Sequence, residues 1–305
     1  MPAAAARLAV CAGLMAAGDW AGPDAPGRIA FDAGRAYEHV RRLVALGPRP
    51  AGSAGSAAAR RYIADQLTAL GLAPIEQRFE ARTPHGPIGM ANVIATIPGR
   101  RPQRLLLAGH YDTKRFTDFV FVGANDGGSS TAMLLELARA LARRDNPLTI
   151  ELVFFDGEEA VVEWTGDDHT YGSRHYVAAA QRDGSLRSVA ALVLFDMVGD
   201  RRLNLRRESY STGWLTDLIW DTARRLEQPA FIEEELAVED DHRPFLDAGV
   251  PAVNLVDLDY HAWHTPADTL DQVSAASLQA VADVFLAALP RIEARLTRGP
   301  AAGRE

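Results

Sequence analysis

The chain has 305 residues, 48% of them hydrophobic and 24% charged, a composition that fits a soluble globular protein of one large α/β domain or two small ones. A formal net charge of -8 with no basic stripe argues against a nucleic-acid partner, because counterion release needs clustered Lys and Arg. Cys11 is the only cysteine, so an intrachain disulfide and a thiolate metal site are both excluded, and any metal must be held by His, Asp and Glu.

Residues 1–30 read as an N-terminal segment. Arg7, the apolar run 8–17 and the small residues behind it have the length of a signal-peptide core, too short to span a bilayer. Used as a signal, the segment implies export to the periplasm or medium; otherwise the protein is cytoplasmic. Val10 ahead of Cys11 is a poor fit to a lipoprotein site, and residues 22–27, with two prolines, read as linker.

From 32 to 72 the pattern is helical. Ala36, Val40, Leu43 and Val44 recur at three- and four-residue intervals, Gly47-Pro48-Arg49-Pro50 breaks the helix, and a second begins after Ser56 with Ala59, Ile63 and Leu67 on one face. Strands are expected at 74–81, 90–97 and 104–109, followed by a helix at 129–143. Strands at 151–155, 190–196 and 252–256 follow, with helices at 214–226 and 275–298. This alternation predicts a single globular α/β domain over 31–298, its mixed, mostly parallel central sheet covered by helices on both faces, and a disordered tail at 299–305. In such sheets sites form at the carboxyl ends of strands. No segment after the first thirty residues predicts a stable membrane span, and the chain is expected to be a monomer.

Acids and histidines collect at those strand ends. The apolar run Leu152-Val153-Phe154-Phe155 stops at Asp156-Gly157 and presents Glu158 and Glu159 side by side. Two adjacent carboxylates destabilise each other unless a cation lies nearby or one is protonated, which suits one metal ligand and one acid/base. A lone Glu-Glu pair is more often solvated; its company changes the reading. His110 and Asp112 end another strand, where residues i and i+2 share a face, so the acid can back the imidazole. Asp126 precedes a helix in a Gly-rich turn, Asp196 ends a further strand, and His264 lies in Trp263-His264-Thr265-Pro266. Imidazole and carboxylate without thiolate point to Zn²⁺ in a catalytic site.

These residues resemble the zinc-dependent M28 peptidase superfamily and, within it, the glutaminyl-peptide cyclotransferases. The superfamily motifs are Gly109-His110-Tyr111-Asp112, Gly123-Ala124-Asn125-Asp126, Asp156-Gly157-Glu158-Glu159, Asp240-Asp241-His242-Arg243-Pro244-Phe245 and Trp263-His264-Thr265. The cyclase branch is suggested by Thr113-Lys114, Phe121-Val122, Trp164 and Tyr171-Gly172-Ser173-Arg174-His175. The resemblance implies a zinc-exopeptidase-like fold with one zinc on Asp126, Glu159 and His264. Glu158 would be the general acid/base, Asp196 held by Asp240 would act beside it, and Trp164 and Trp263 would wall the substrate pocket. The substrate would be a peptide or protein N-terminus, its glutamine converted to pyroglutamate with release of ammonia. Asn254 departs from animal cyclases, which carry histidine there.

The rival reading is a two-zinc aminopeptidase, with His110 and Asp196 as ligands of a second metal and Asp126 bridging. There Glu158 would activate water. A non-catalytic binding module would be marked by loss of Glu158 or of a ligand, and none is lost. His175 is expected to hydrogen-bond within the fold, His169 to lie on a surface loop, Asp241-His242 to support Asp196, and Arg201, Arg202, Arg206 and Arg207 to form a solvated face.

Overall fold

The computed structural model describes residues 30–298. The expected signal segment, Cys11, the 22–27 linker and the 299–305 tail lie outside the described residues. Helix α1 (Ala33–Ala45) starts at Asp32, whose carboxylate accepts the Arg35 N–H at 3.1 Å. Helix α2 (Ala54–Ala69) starts earlier than its apolar stripe suggests, because Ser53 rather than Ser56 is the cap: its hydroxyl accepts the Ser56 N–H at 3.1 Å.

The strands β1 (Ile75–Thr83), β2 (Gly86–Ile97), β3 (Arg101–His110), β4 (Leu148–Phe155), β5 (Val189–Asp196) and β8 (Ala252–Val256) form one six-stranded sheet in the order β1-β2-β4-β3-β5-β8. β4, β3, β5 and β8 are mutually parallel, whereas β1 with β2 and β2 with β4 are antiparallel. The difference follows from the connections. β3 to β4 crosses through α3 (Gly128–Leu141), and β4 to β5 through α4 (Tyr171–Asp183), while β1 and β2 are joined only by the tight turn at 84–85.

Side chains of the parallel strands alternate between two cores. Leu105 and Leu107 of β3 face α1, α3, α5 (Gly213–Arg225) and α7 (Ala275–Thr297); Leu106 and Ala108 face α4 and α6 (Arg243–Asp247). Both faces are therefore dry, as a parallel sheet requires. Among the described residues α7 is the one helix long and apolar enough to cross a membrane. Here its Leu278, Val281, Phe285, Leu289 and Ile292 are fully buried in the core.

Four short elements escape sequence reading: α4, α6 and the parallel pair β6 (Leu205–Glu208) and β7 (Phe231–Leu236). The sequences of β6 and β7, Leu-Arg-Arg-Glu and Phe-Ile-Glu-Glu-Glu-Leu, look like solvated charge runs. Paired, they neutralise each other: Arg206 reaches Glu234 at 3.4 Å and Asp259 at 2.7 Å, and Arg207 reaches Glu233 at 3.2 Å and also pairs with Asp217. Of the expected solvated basic face, Arg206 and Arg207 are thus taken into ion pairs, while Arg201 and Arg202 are exposed as expected.

Candidate metal and acid–base site

Parallel neighbours end on the same side, so β3, β4 and β5 deliver His110, Glu158-Glu159 and Asp196 to one place. Asp126 arrives from the turn before α3 and His264 from the loop after β8. Two groups result, His110–Asp126–Asp196 and Asp126–Glu159–His264, each with its donor atoms within 4.8 Å of one another. His110 Nε2 lies 3.1 Å from Asp196 Oδ1 and 3.3 Å from Asp126 Oδ1; His264 Nε2 lies 3.1 Å from Glu159 Oε1 and 3.3 Å from Asp126 Oδ2. Asp126 therefore divides its two oxygens between the groups.

The residues fit a metal ion. Zinc with bonds of about 2.0–2.1 Å in a tetrahedron sets its ligand atoms roughly 3.3 Å apart, close to these separations. Asp126 Oδ2 is also buried with no hydrogen-bond partner among the described residues, which a folded protein tolerates where something else completes it.

Two of the turns that carry candidate ligands are each clamped by a further buried aspartate. Asp112 accepts the N–H groups of Glu158 and Glu159 at 3.2 and 3.3 Å, and its Oδ1 lies 3.5 Å from His110 Nδ1. Asp268 accepts the N–H groups of Asn125 and Asp126 at 2.8 and 3.1 Å and the Tyr260 hydroxyl at 2.6 Å. The turn at Asp126 needs glycine next to it: Gly127 has φ +78°, and a Cβ there would lie 2.4 Å from the Asp112 carbonyl oxygen. Gly172 is required for another reason. Helix α4 packs directly on Asp156, so a Cβ at Gly172 would sit 2.5 Å from the Asp156 carbonyl oxygen and 2.4 Å from Asn92 Oδ1.

Acids outnumber imidazoles here, and the protonation states register it. Burial pushes the Glu158 carboxyl well above its ordinary range, helped by the charges of Asp240, Glu159 and Asp241 and opposed by His110. Burial and the charge of Asp126 raise Glu159 to about 7, and burial and Asp196 raise Asp240 to about 6. Burial would lower His264, but Asp126 and Glu159 outweigh it and lift it to about 10. The site carries more negative charge than its own residues can neutralise, a standing demand for protons or a cation.

The site opens into a cavity of 460 Å³. Glu158, Glu159, Asp126, Asp196, Asp240 and His264 line it, with Trp164 and Trp263 among its walls. The tryptophans are not core residues: they are 36% and 45% exposed, Trp164 stacked on His169 at 4.3 Å and Trp263 on His264 at 4.4 Å. Asp196 and Asp240 both reach the cavity, yet no hydrogen bond joins them among the described residues. Asp196 is bonded to His110, and Asp240 Oδ2 accepts Asn254 Nδ2 at 2.7 Å.

The supporting role expected of Asp241-His242 does not materialise, since Asp241 accepts the Ser173 hydroxyl and His242 pairs with Glu208 at 3.0 Å. His175, expected to hydrogen-bond, instead stacks on Phe79 at 4.2 Å. His169 lies in the loop before α4, as expected, half-buried behind Trp164. Sequence reading missed Asp268 and the pocket-lining Met197 and Glu239, and quoted Lys114 only as part of a motif, without a place in the pocket. The spacing of Asp268 behind His264 in a Pro-containing turn was the available signal; nothing local marks Met197 and Glu239.

Residues 92–289 match Peptidase family M28. The chain is 33% identical over 273 residues to a glutaminyl-peptide cyclotransferase-like protein of Mus musculus, covering 78% of this chain and 71% of that one. It superposes on the crystal structure of an Acidobacteriales bacterium glutaminyl cyclase with TM-score 0.84 at 39% identity, covering 92% of this chain and 100% of the other. A Zn-dependent exopeptidase from Parabacteroides distasonis gives TM-score 0.78 at 25% identity, with 85% and 98% covered. With the acids and histidines gathered at the strand ends, the buried acid pair and these likenesses together, the chain belongs to peptidase family M28, on its glutaminyl-peptide cyclotransferase branch.

Proposed function

We propose that the protein, with residues 31–298 as its catalytic domain, is a zinc-dependent glutaminyl-peptide cyclotransferase that converts N-terminal glutamine of peptides to pyroglutamate and releases ammonia. The observation that carries the reading is a buried, high-pKa Glu158 beside a complete Asp126–Glu159–His264 group in a cavity walled by two tryptophans. Asp126, Glu159 and His264 would hold the zinc, which when bound would supply Lewis acidity toward the side-chain carbonyl of the glutamine. Glu158 takes the proton from the α-amine as the amine nitrogen bonds to the carbon of that side-chain carbonyl, Cδ. As the bond from that carbon to the amide nitrogen breaks, the same carboxyl returns a proton to the departing ammonia, so no proton is gained or lost. Burial raises the Glu158 carboxyl above the ordinary range, the direction that favours a group able to hold the proton between the two steps. Asp196 and Asp240, on the same cavity wall, offset the positive charge that develops on the attacking amine. Trp164 and Trp263 narrow the cavity and keep competing water from the carbonyl.

One observation favours a second reading. The His110–Asp126–Asp196 group is also complete, as a two-metal aminopeptidase needs. The two chemistries separate by mass spectrometry of a Gln-initiated peptide incubated with zinc-loaded protein, with Glu158→Gln as control. Loss of one ammonia at unchanged chain length, absent in the variant, is the expected result; release of the N-terminal residue would replace the cyclase reading with the peptidase.

A further inference from the structure

The two imidazoles of the site are held in different ways. His110 ends a strand and is fixed by its pairing with Phe155 of β4. His264 comes from an irregular loop, and its φ of +54° lies in the left-handed region that a non-glycine residue rarely adopts. Among the described residues its Nε2 has Asp126 and Glu159 as its polar partners, which are themselves ligand candidates and cannot orient the ring independently of an ion.

Three aromatic rings enclose the imidazole. Trp263 stacks on it at 4.4 Å and 29°, Phe116 meets it edge-on at 5.8 Å and 72°, and Phe121 edge-on at 5.9 Å and 89°. These are the stacked and T-shaped arrangements that ring quadrupoles favour. The cluster is braced from behind: Phe116 stacks on Phe119 at 4.4 Å and meets Phe121 edge-on at 5.3 Å, and Phe121 is only 2% exposed. Phe116 and Phe121 belong to the segment between β3 and α3, which starts directly after His110 and carries Asp126. The rings therefore tie the His264 loop to the part of the chain that supplies the other ligands.

We infer that Phe116 and Phe121 are positioning residues that hold the His264 ring, with Nε2 turned toward Asp126 and Glu159, before a metal binds. The inference rests on the metal-site reading above and adds that the site is pre-organised by aromatic contacts from the 114–122 segment. An ion entering such a site does not have to order a loop residue in a strained backbone, so affinity rises without any added ligand. Were the cluster only loop packing, its loss would lower stability and leave metal affinity alone.

That difference is the test. The zinc dissociation constant of the full chain is measured by competition with a chromogenic chelator, together with the Tm of the metal-free protein, for the wild type and for Phe116→Leu, Phe121→Leu and Phe116→Tyr. His264→Ala gives the limit for complete loss of the ligand. Phe116→Leu, at a half-buried position where folding is preserved, is expected to weaken zinc binding about tenfold, the lower end of the range for groups that orient ligands, with little change in metal-free Tm. Phe116→Tyr, which keeps the ring, restores wild-type affinity. Zinc constants of both leucine variants within twofold of wild type would overturn the inference whatever happens to Tm, and leave the metal-site reading intact. A wild type that binds zinc no better than His264→Ala would overturn the metal-site reading, and this inference with it.

Discussion

Asp268→Asn separates holding the fold from holding the site. Asp268 is 1% exposed and accepts two backbone N–H groups, those of Asn125 and Asp126, one on each oxygen. Burial, then the charge of Asp126, raises its carboxyl from 3.8 to about 6, a displacement worth about 3 kcal/mol against the ionised form at pH 8. Asparagine removes that cost. It also turns an NH2 group toward one of the two N–H donors, and a buried donor left without an acceptor costs about 1–3 kcal/mol, with about 1 kcal/mol more as the other charged bond becomes neutral. These contributions nearly cancel, so the metal-free variant is expected to lie within about 2 kcal/mol of wild type. Metal affinity has no such compensation: the turn carrying Asp126 is released, and zinc binding should weaken roughly 10- to 100-fold. Urea unfolding of the metal-free protein at pH 8 and zinc competition with a chelator measure the two quantities. Unchanged zinc affinity together with a stability loss above about 4 kcal/mol would refute the reasoning and make Asp268 a part of the fold rather than of the site.

Two further expectations concern the scaffold. His39 is 8% exposed, its Nδ1 2.6 Å from the Tyr62 hydroxyl, and burial followed by the charge of Arg35 lowers its pKa to about 4. Its folded pKa lies below the unfolded value of 6.5, so the stability it contributes is complete above about pH 6.5 and is lost as pH falls through 4. The loss should reach about 3 kcal/mol and be absent from His39→Gln; parallel curves of Tm against pH for the two proteins would contradict this. Gly172→Ala places a methyl group 2.4 Å from Asn92 Oδ1 and 2.5 Å from the Asp156 carbonyl oxygen, and should cost about 3 kcal/mol, together with turnover, by pushing α4 away from the turn that carries Glu158. A variant with wild-type Tm would show that α4 has slack at this point.

The long apolar strands and amphipathic helices were legible because burial and local periodicity dominate them. β6 and β7 were not, because their charges are balanced only by each other and by Asp217 and Asp259. Helix α4 was hidden for a different reason: its first turn, Tyr171-Gly172-Ser173, is chosen for close approach to Asp156 and for the bond from Ser173 to Asp241, not for helical periodicity.

In the site the same division holds. The strand-end positions of His110, Glu158, Glu159 and Asp196, and the Gly-rich turn after Asp126, were determined by sequence alone, since strand termination and left-handed glycine are short-range properties. Which partner each group takes was decided only by the tertiary structure. Asp196 takes His110 across 86 residues, Asp268 takes the Asp126 turn across 142, and Asp240 is bonded by Asn254 rather than by Asp196. Hydrogen bonds in a buried polar cluster go to whichever donor the packing brings within reach, and two like-charged carboxylates have no donor to offer each other. The enclosure of His264 by Phe116 and Phe121 has the same origin: 148 and 143 positions apart in the chain, these residues meet only because β3, α3 and the loop after β8 converge at one end of the sheet.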